Sequence, residues 1–199
     1  MPMKKQLSVA LIACSLMAAN AGIFQYSVTL DGPSESPINA SPGTGSGTVN
    51  YDSTAHTLTL AVSFTGLSGT VTASHIHAAT VSPFSGTSGV ATTTPTFAGF
   101  PSGVTSGTYN NVLDLTLASS YNPSYVTANG GTTASAETAL AAAMAAGEAY
   151  WNIHSTVFGG GEIRGFLTPV PEPSSLALLG LGGICMAARA WSKRRSTRA

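Results

Sequence analysis

An all-β, antiparallel β-sandwich of Greek-key type, with one short helix and export segments at both ends, is the fold class that this sequence predicts. Three observations predict it. Short segments alternate apolar and polar side chains with period two, which sends one set to a core face and the other to solvent. Gly, Pro, Ser and Thr crowd the stretches between those segments, as turns and loops require. Only 8% of the residues are charged, in a chain with 22 Gly and 11 Pro. An ordinary soluble domain is roughly 25% charged, so the composition favours sheet and turn over solvated helix.

The elements follow in order. Phe24-Gln25-Tyr26-Ser27-Val28-Thr29-Leu30 alternates strictly and reads as a strand. A Gly/Pro/Ser loop from Asp31 to Gly47 leads to a strand at Thr48–Asp52, and Leu58, Leu60, Val62 and Phe64 mark the next. Gly66-Leu67-Ser68-Gly69 forms a tight turn into a strand over Thr70–His77. Residues 79–108 are rich in Ser, Thr, Gly and Pro, with one candidate strand near Val90–Phe97. Val112–Leu117 is the next strand. The period then changes: Ser135–Ala146 is rich in Ala, Leu and Met, can be capped by Thr133 or Ser135, and is closed by Gly147. Strands at Ala149–His154 and Glu162–Leu167, joined through Gly159-Gly160-Gly161, complete the body.

The formal charge of zero hides three unlike regions. Lys4 and Lys5 make the first positive, and Arg189, Lys193, Arg194, Arg195 and Arg198 make the last positive. Between them stand Asp31, Glu35, Asp52, Asp114, Glu137, Glu148 and Glu162, with Arg164 as the single cation. An acidic body cannot displace counterions from phosphates, so nucleic acid is not an expected partner. Cys14 and Cys185 both lie in apolar end segments. The body therefore has no disulfide and no thiolate-ligated metal.

Residues 1–21 read as a signal peptide: Lys4 and Lys5, an apolar stretch from Leu7 to Met17, and Ala19-Asn20-Ala21 as the cleavage site for signal peptidase. Leu11-Ile12-Ala13-Cys14 also fits a lipobox that would lipidate Cys14, but the apolar run continues past the cysteine, which favours ordinary cleavage. Residues 170–199 carry Pro171-Glu172-Pro173, an apolar run from Leu176 to Ala188 and the basic cluster Lys193-Arg194-Arg195. Such a helix is short for a membrane span, with Arg189 placed to snorkel at its end. This tail resembles a PEP-CTERM sorting signal. The resemblance implies an exosortase that cuts near the hinge, transient residence in the inner membrane, and release to the surface or exopolysaccharide of a Gram-negative bacterium.

Between the ends, residues 22–169 form the expected domain. Gly66-Leu67-Ser68-Gly69 with Ser74-His75-Ile76-His77, then Gly147 to His154, then Gly160-Gly161-Glu162-Ile163-Arg164-Gly165, together resemble the CHRD (chordin-type) domain. That resemblance implies a β-sandwich of extracellular or envelope proteins and no established activity.

Only one constellation invites chemistry. On a strand, His75 and His77 face one way, together with Val71 and Ala73, and His154 joins them if its strand lies alongside. Three imidazoles would suit a transition metal, with affinity expected to fall as pH drops through about 6.5. The other expectation is that these rings bond backbone carbonyls or Glu162 and fix strand register. The His-x-His strand after a Gly-Leu turn is similar to copper/zinc superoxide dismutases. Those enzymes need more histidines and an aspartate, whereas only His56 remains here and residues 79–111 offer no ligand. No Gly-x-Ser-x-Gly elbow or phosphate loop is present. No catalytic residue and no cofactor is expected, apart from the metal at His75, His77 and His154. Arg164 is expected to pair with Glu148, Asp114 or Glu162. Tyr26, Tyr51, Tyr109, Tyr121, Tyr125, Tyr150 and Trp151 offer either a carbohydrate-stacking platform or core. The sequence therefore points to a non-enzymatic surface or matrix protein, structural or adhesive, with exopolysaccharide or surface proteins as partners. Metal binding, with redox activity, is the alternative.

Overall fold

β1 (Ile23–Asp31), β2 (Thr44–Asp52) and β3 (Thr57–Thr65) form a meander whose alternation sets its register. Tyr26 lies opposite Val49 and Val49 opposite Leu60, so the apolar positions stack on one face. Tyr26, Val28, Leu30, Val49, Leu58, Leu60, Val62 and Phe64 are all buried there. The computed structural model describes residues 22–171.

After β3 the chain crosses to the far edge of the sheet as β4 (Val71–His77) and returns to pair with β3 as β5 (Gly107–Asp114). A helical layer follows, α1 (Pro123–Ala128) and α2 (Thr133–Ala145). β6 (Tyr150–Ser155) then pairs with β4, and β7 (Ile163–Phe166) bridges β6 to β1. β8 (Thr168–Pro169) pairs with the middle of β1, at Tyr26 and Ser27. The order β4-β6-β7-β1-β2-β3-β5 is antiparallel throughout, with Greek-key-like crossings. The fold is thus the expected antiparallel all-β class. Its strands belong to one continuous sheet that curls into a half-barrel.

One core fills the curl. The ring of Phe97 stacks on Tyr109 of β5 at 5.9 Å and meets Trp151 of β6 edge-on at 5.7 Å, joining strands from the two ends of the sheet. The leading loop of β5 closes on β4, where Val71 N donates to Val104 O at 2.8 Å. Trp151 is fully buried and its Nε1 donates to Ser74 Oγ at 2.8 Å, so the indole N–H is satisfied inside the core.

Several boundaries differ from the sequence reading. β2 starts at Thr44, inside the expected loop, because its glycines let the backbone pair closely with β3. Val90–Phe97 is not a strand. It crosses the outer edge of β4 irregularly, with Ala91 N on Ile76 O and Phe97 N on Ser74 O. The expected strand at Val112–Leu117 runs from Gly107 to Asp114, and Leu115 N turns away to His56 O. α2 is capped by Thr132, in a reciprocal capping box with Ser135, and buries Ala136, Leu140, Ala143 and Met144. α1 was not expected. Asn122 caps it and Pro123 occupies its first turn.

The signal peptide at 1–21, Cys14, Glu172, Pro173, the apolar run Leu176–Ala188 and the basic cluster lie outside the described residues. Val170 N still bonds Gln25 O at 2.8 Å, so the chain is held to β1 up to the edge of the hinge at Pro171. Among the described residues, no helix is long and apolar enough to cross a membrane.

Candidate metal centre

The outer face of β4, β6 and β7 is polar yet buried. Ala73 lies opposite His154, His75 opposite Asn152 and His77 opposite Tyr150, while Asn152 also lies opposite Arg164 on β7. These positions share one face because side chains two apart on a strand point the same way. Val71 does not join them. The register slips at Thr72, where one extra residue bulges, and Val71 turns to the core with Ile76 and Ile153.

The bulge leaves His75, His77 and His154 together. Their ring centroids are 4.8 Å apart for His75–His77 and 4.6 Å for His75–His154. One ring nitrogen from each lies within 4.8 Å of the other two. Ideal tetrahedral zinc with bonds of about 2.1 Å needs a separation of about 3.4 Å, so the rings must draw closer to share one ion.

Hydrogen bonding decides which nitrogens are free. His77 Nδ1 lies 2.8 Å from Ser88 O and His154 Nδ1 lies 3.0 Å from Gly159 O. A carbonyl can only accept, so each Nδ1 carries the proton and each Nε2 keeps a lone pair. Those two Nε2 atoms, and Nδ1 of His75, are buried without any partner. Carbonyl bonds were one sequence expectation, and they are present. They occupy only the outer nitrogen of His77 and of His154, which is how metal-ligating histidines are usually oriented, while His75 is held by its ring contacts with the other two. His77 also stacks on Tyr150 at 4.7 Å with rings 6° apart, which fixes its plane.

The electrostatics keep the cluster neutral. Burial, then the neighbouring imidazoles, pull His75 down to about 3. Burial pulls His77 down to about 4 against its bond to Ser88, and pulls His154 below its ordinary value. Protons therefore compete for His75 and His77 only well below the pH of about 6.5 expected from free histidine, and for His154 below its ordinary range. For the metal-free protein, depressed histidine values mean that the unfolded chain binds more protons below pH 6.5. Burial pushes the Glu35 carboxyl up to about 7 against the pull of Arg164, which gives one opposing proton. Three histidines outweigh one carboxyl. Stability should be full above pH 6.5 and fall by a few kcal/mol towards pH 4.5. Urea midpoints in the presence of chelator check this, and a flat profile would contradict it.

Glu162 does not touch the histidines. It is fully buried, accepts from Ser41 Oγ at 2.6 Å and Gly69 N at 3.2 Å, and accepts a short bond from Ser68 N. Burial pushes its carboxyl up, and donors from Ser155, Ser41, Ser68 and Gly69 outweigh that and hold it low. Arg164 pairs with none of its expected partners. Its nearest carboxylate is Glu35, with Nε 3.9 Å from Oε2. Arg164 also donates from Nε to Ser34 O and from Nη1 to Gly86 O at 3.1 Å. It thereby clasps two loops over the face, and its guanidinium lies 4.8 Å above the ring of Tyr150. The clasp was invisible in sequence because Glu35 sits in a loop 129 positions away, among Pro and Ser. All six tyrosines and Trp151 are buried, so they form no stacking platform.

Comparison with protein families agrees with this architecture. The family model of the CHRD domain matches residues 26–167, and the chain belongs to that family. The PEP-CTERM protein-sorting motif matches residues 169–195. That motif marks the chain for export, for processing by exosortase and for sorting to the bacterial cell surface. No curated protein and no solved structure gives a significant match.

Proposed function

We propose that this protein is a non-enzymatic surface domain that captures a divalent transition-metal ion through His75, His77 and His154. One observation carries the reading: three neutral imidazoles converge, each with a buried nitrogen that has no partner. An unsatisfied buried acceptor costs about 1–3 kcal/mol, and a metal would satisfy all three at once. With no thiolate and no carboxylate in the cluster, zinc, copper or nickel fits better than calcium or magnesium. After equilibrium dialysis against zinc with a weak chelator, the purified protein is expected to keep one ion per chain. His77→Ala should keep none, and an empty wild-type protein would overturn the reading.

A structural or adhesive role in an exopolysaccharide matrix is compatible with this, and a separate observation favours it. Ser27, Thr29, Ser46, Ser63, Thr108 and Asn110 are exposed on the outer face of β1, β2, β3 and β5. This row of uncharged hydroxyls and amides suits contact with sugar hydroxyls. The proposed route is signal-peptidase cleavage after Ala21, transient anchoring in the inner membrane of a Gram-negative bacterium, and exosortase cleavage near Pro171-Glu172-Pro173. Mass spectrometry of surface material should find a C-terminus near Pro171–Ser175. An intact tail from an exosortase-competent host would leave a plain membrane anchor instead.

A further inference from the structure

Six buried side-chain atoms among the described residues lack a hydrogen-bond partner; four of them stand on one sheet face and a fifth comes from the loop packed over it. Three are the imidazole nitrogens. The others are Glu35 Oε1 and Asn152 Oδ1, while the sixth, Asn50 Oδ1, lies on β2. Two orphaned oxygens beside three orphaned nitrogens are not explained by the metal alone.

Their placement is specific. Asn152 is the cross-strand partner of His75 and stands two residues before His154 on β6, so its amide is beside the triad. Glu35 Oε1 approaches the Asn152 amide from the loop that Arg164 clasps, with Gly161 as their common neighbour. A Cβ on Gly161 would lie 2.6 Å from Glu35 Oε1, 2.6 Å from Asn152 Nδ2 and 2.8 Å from Asn152 Oδ1, so the carboxylate and the amide meet at one side of that residue. Gly161 also has φ +137°, where side chains are strained. Glycine at this position lets the Glu35 carboxylate and the Asn152 amide approach the backbone this closely.

We propose that the fourth ligand of the metal is a water molecule whose two protons are taken by Asn152 Oδ1 and Glu35 Oε1. The inference rests on the metal reading above. Three protein nitrogens leave one tetrahedral position, which water fills in sites of this kind. Bound to the ion through one lone pair, that water turns both its protons outward, and an amide oxygen and an ionised carboxylate oxygen are both met by donors. Glu35 and Asn152 act through the water as positioning residues.

The test uses the full chain loaded with one equivalent of Cu(II) and examined by pulsed electron paramagnetic resonance in H2O and D2O. The wild type should show three imidazole nitrogens together with strongly coupled exchangeable deuterons from an equatorial water. Glu35→Gln and Asn152→Leu should retain the nitrogens, weaken the deuteron signal and loosen copper by about ten-fold. Nitrogens without exchangeable deuterons would overturn the inference and favour a proton shared directly between Glu35 and Asn152. Deuteron signals unchanged in both variants would overturn it as well. Absence of the three-nitrogen pattern would instead refute the metal reading. Glu35→Gln keeps the shape of the side chain, so the comparison with wild type stands even where Asn152→Leu fails to fold.

Discussion

Replacing Glu162 with Ala is expected to destabilise the domain by about 3–5 kcal/mol, the cost of stripping one partner from a buried charged network. The carboxylate is fully buried, and its donors Ser41 Oγ and Gly69 N would lose their acceptor in the interior, together with Ser68 N, whose bond is partly buried. Domains of this size are stable by roughly 5–15 kcal/mol, so the loss is a large fraction of the whole. Glu162→Gln keeps one acceptor oxygen and should cost about 1–2 kcal/mol. The consequence reaches the site, because Glu162 ties the Gly66–Gly69 turn, and hence the start of β4, to β7. Urea denaturation of the three proteins measures it. An Ala variant within 1 kcal/mol of wild type would show that the network is dispensable.

Zinc should raise the melting temperature of the wild-type protein by about 5–10 °C at a hundred-fold excess over its dissociation constant. That excess contributes about 2.7 kcal/mol, and each kcal/mol moves a domain of this size by about 2–4 °C. Chelator should reverse the rise, and His77→Ala should respond to neither. His77→Ala will be weaker than wild type whatever the function, since it loses the Ser88 bond and the Tyr150 stack. The decisive quantity is therefore the difference between metal and chelator in each protein. A wild-type melting temperature that ignores both would contradict the proposal.

The sheet was legible because its physics is local. Alternation in Phe24–Leu30 and Leu58–Phe64 fixes which side chains go inward, and the structure places those segments in β1 and β3. The helix at 133–145 was legible from composition for the same reason. Features that depend on distant segments were hidden. Thr72 looks like any strand residue, yet its bulge moves Val71 off the histidine face. Val90–Phe97 has strand-like residues but bonds to β4 without forming a ladder. His75, His77 and His154 could be named from spacing. Whether their free nitrogens would meet depended on β6 lying beside β4, and on Ser88 and Gly159 taking the outer nitrogens. Glu35 and Asn152 carried no signal, since a loop glutamate and a strand asparagine become a pair only through the closure of residues 31–43 over the sheet.

The central claim is that three imidazoles hold one metal ion. X-ray absorption at the zinc edge of the loaded protein tests it most directly. The account predicts three nitrogen scatterers at about 2.0–2.1 Å, the outer-shell features of imidazole rings, and one further light ligand. A first shell of oxygen without imidazole features would contradict it.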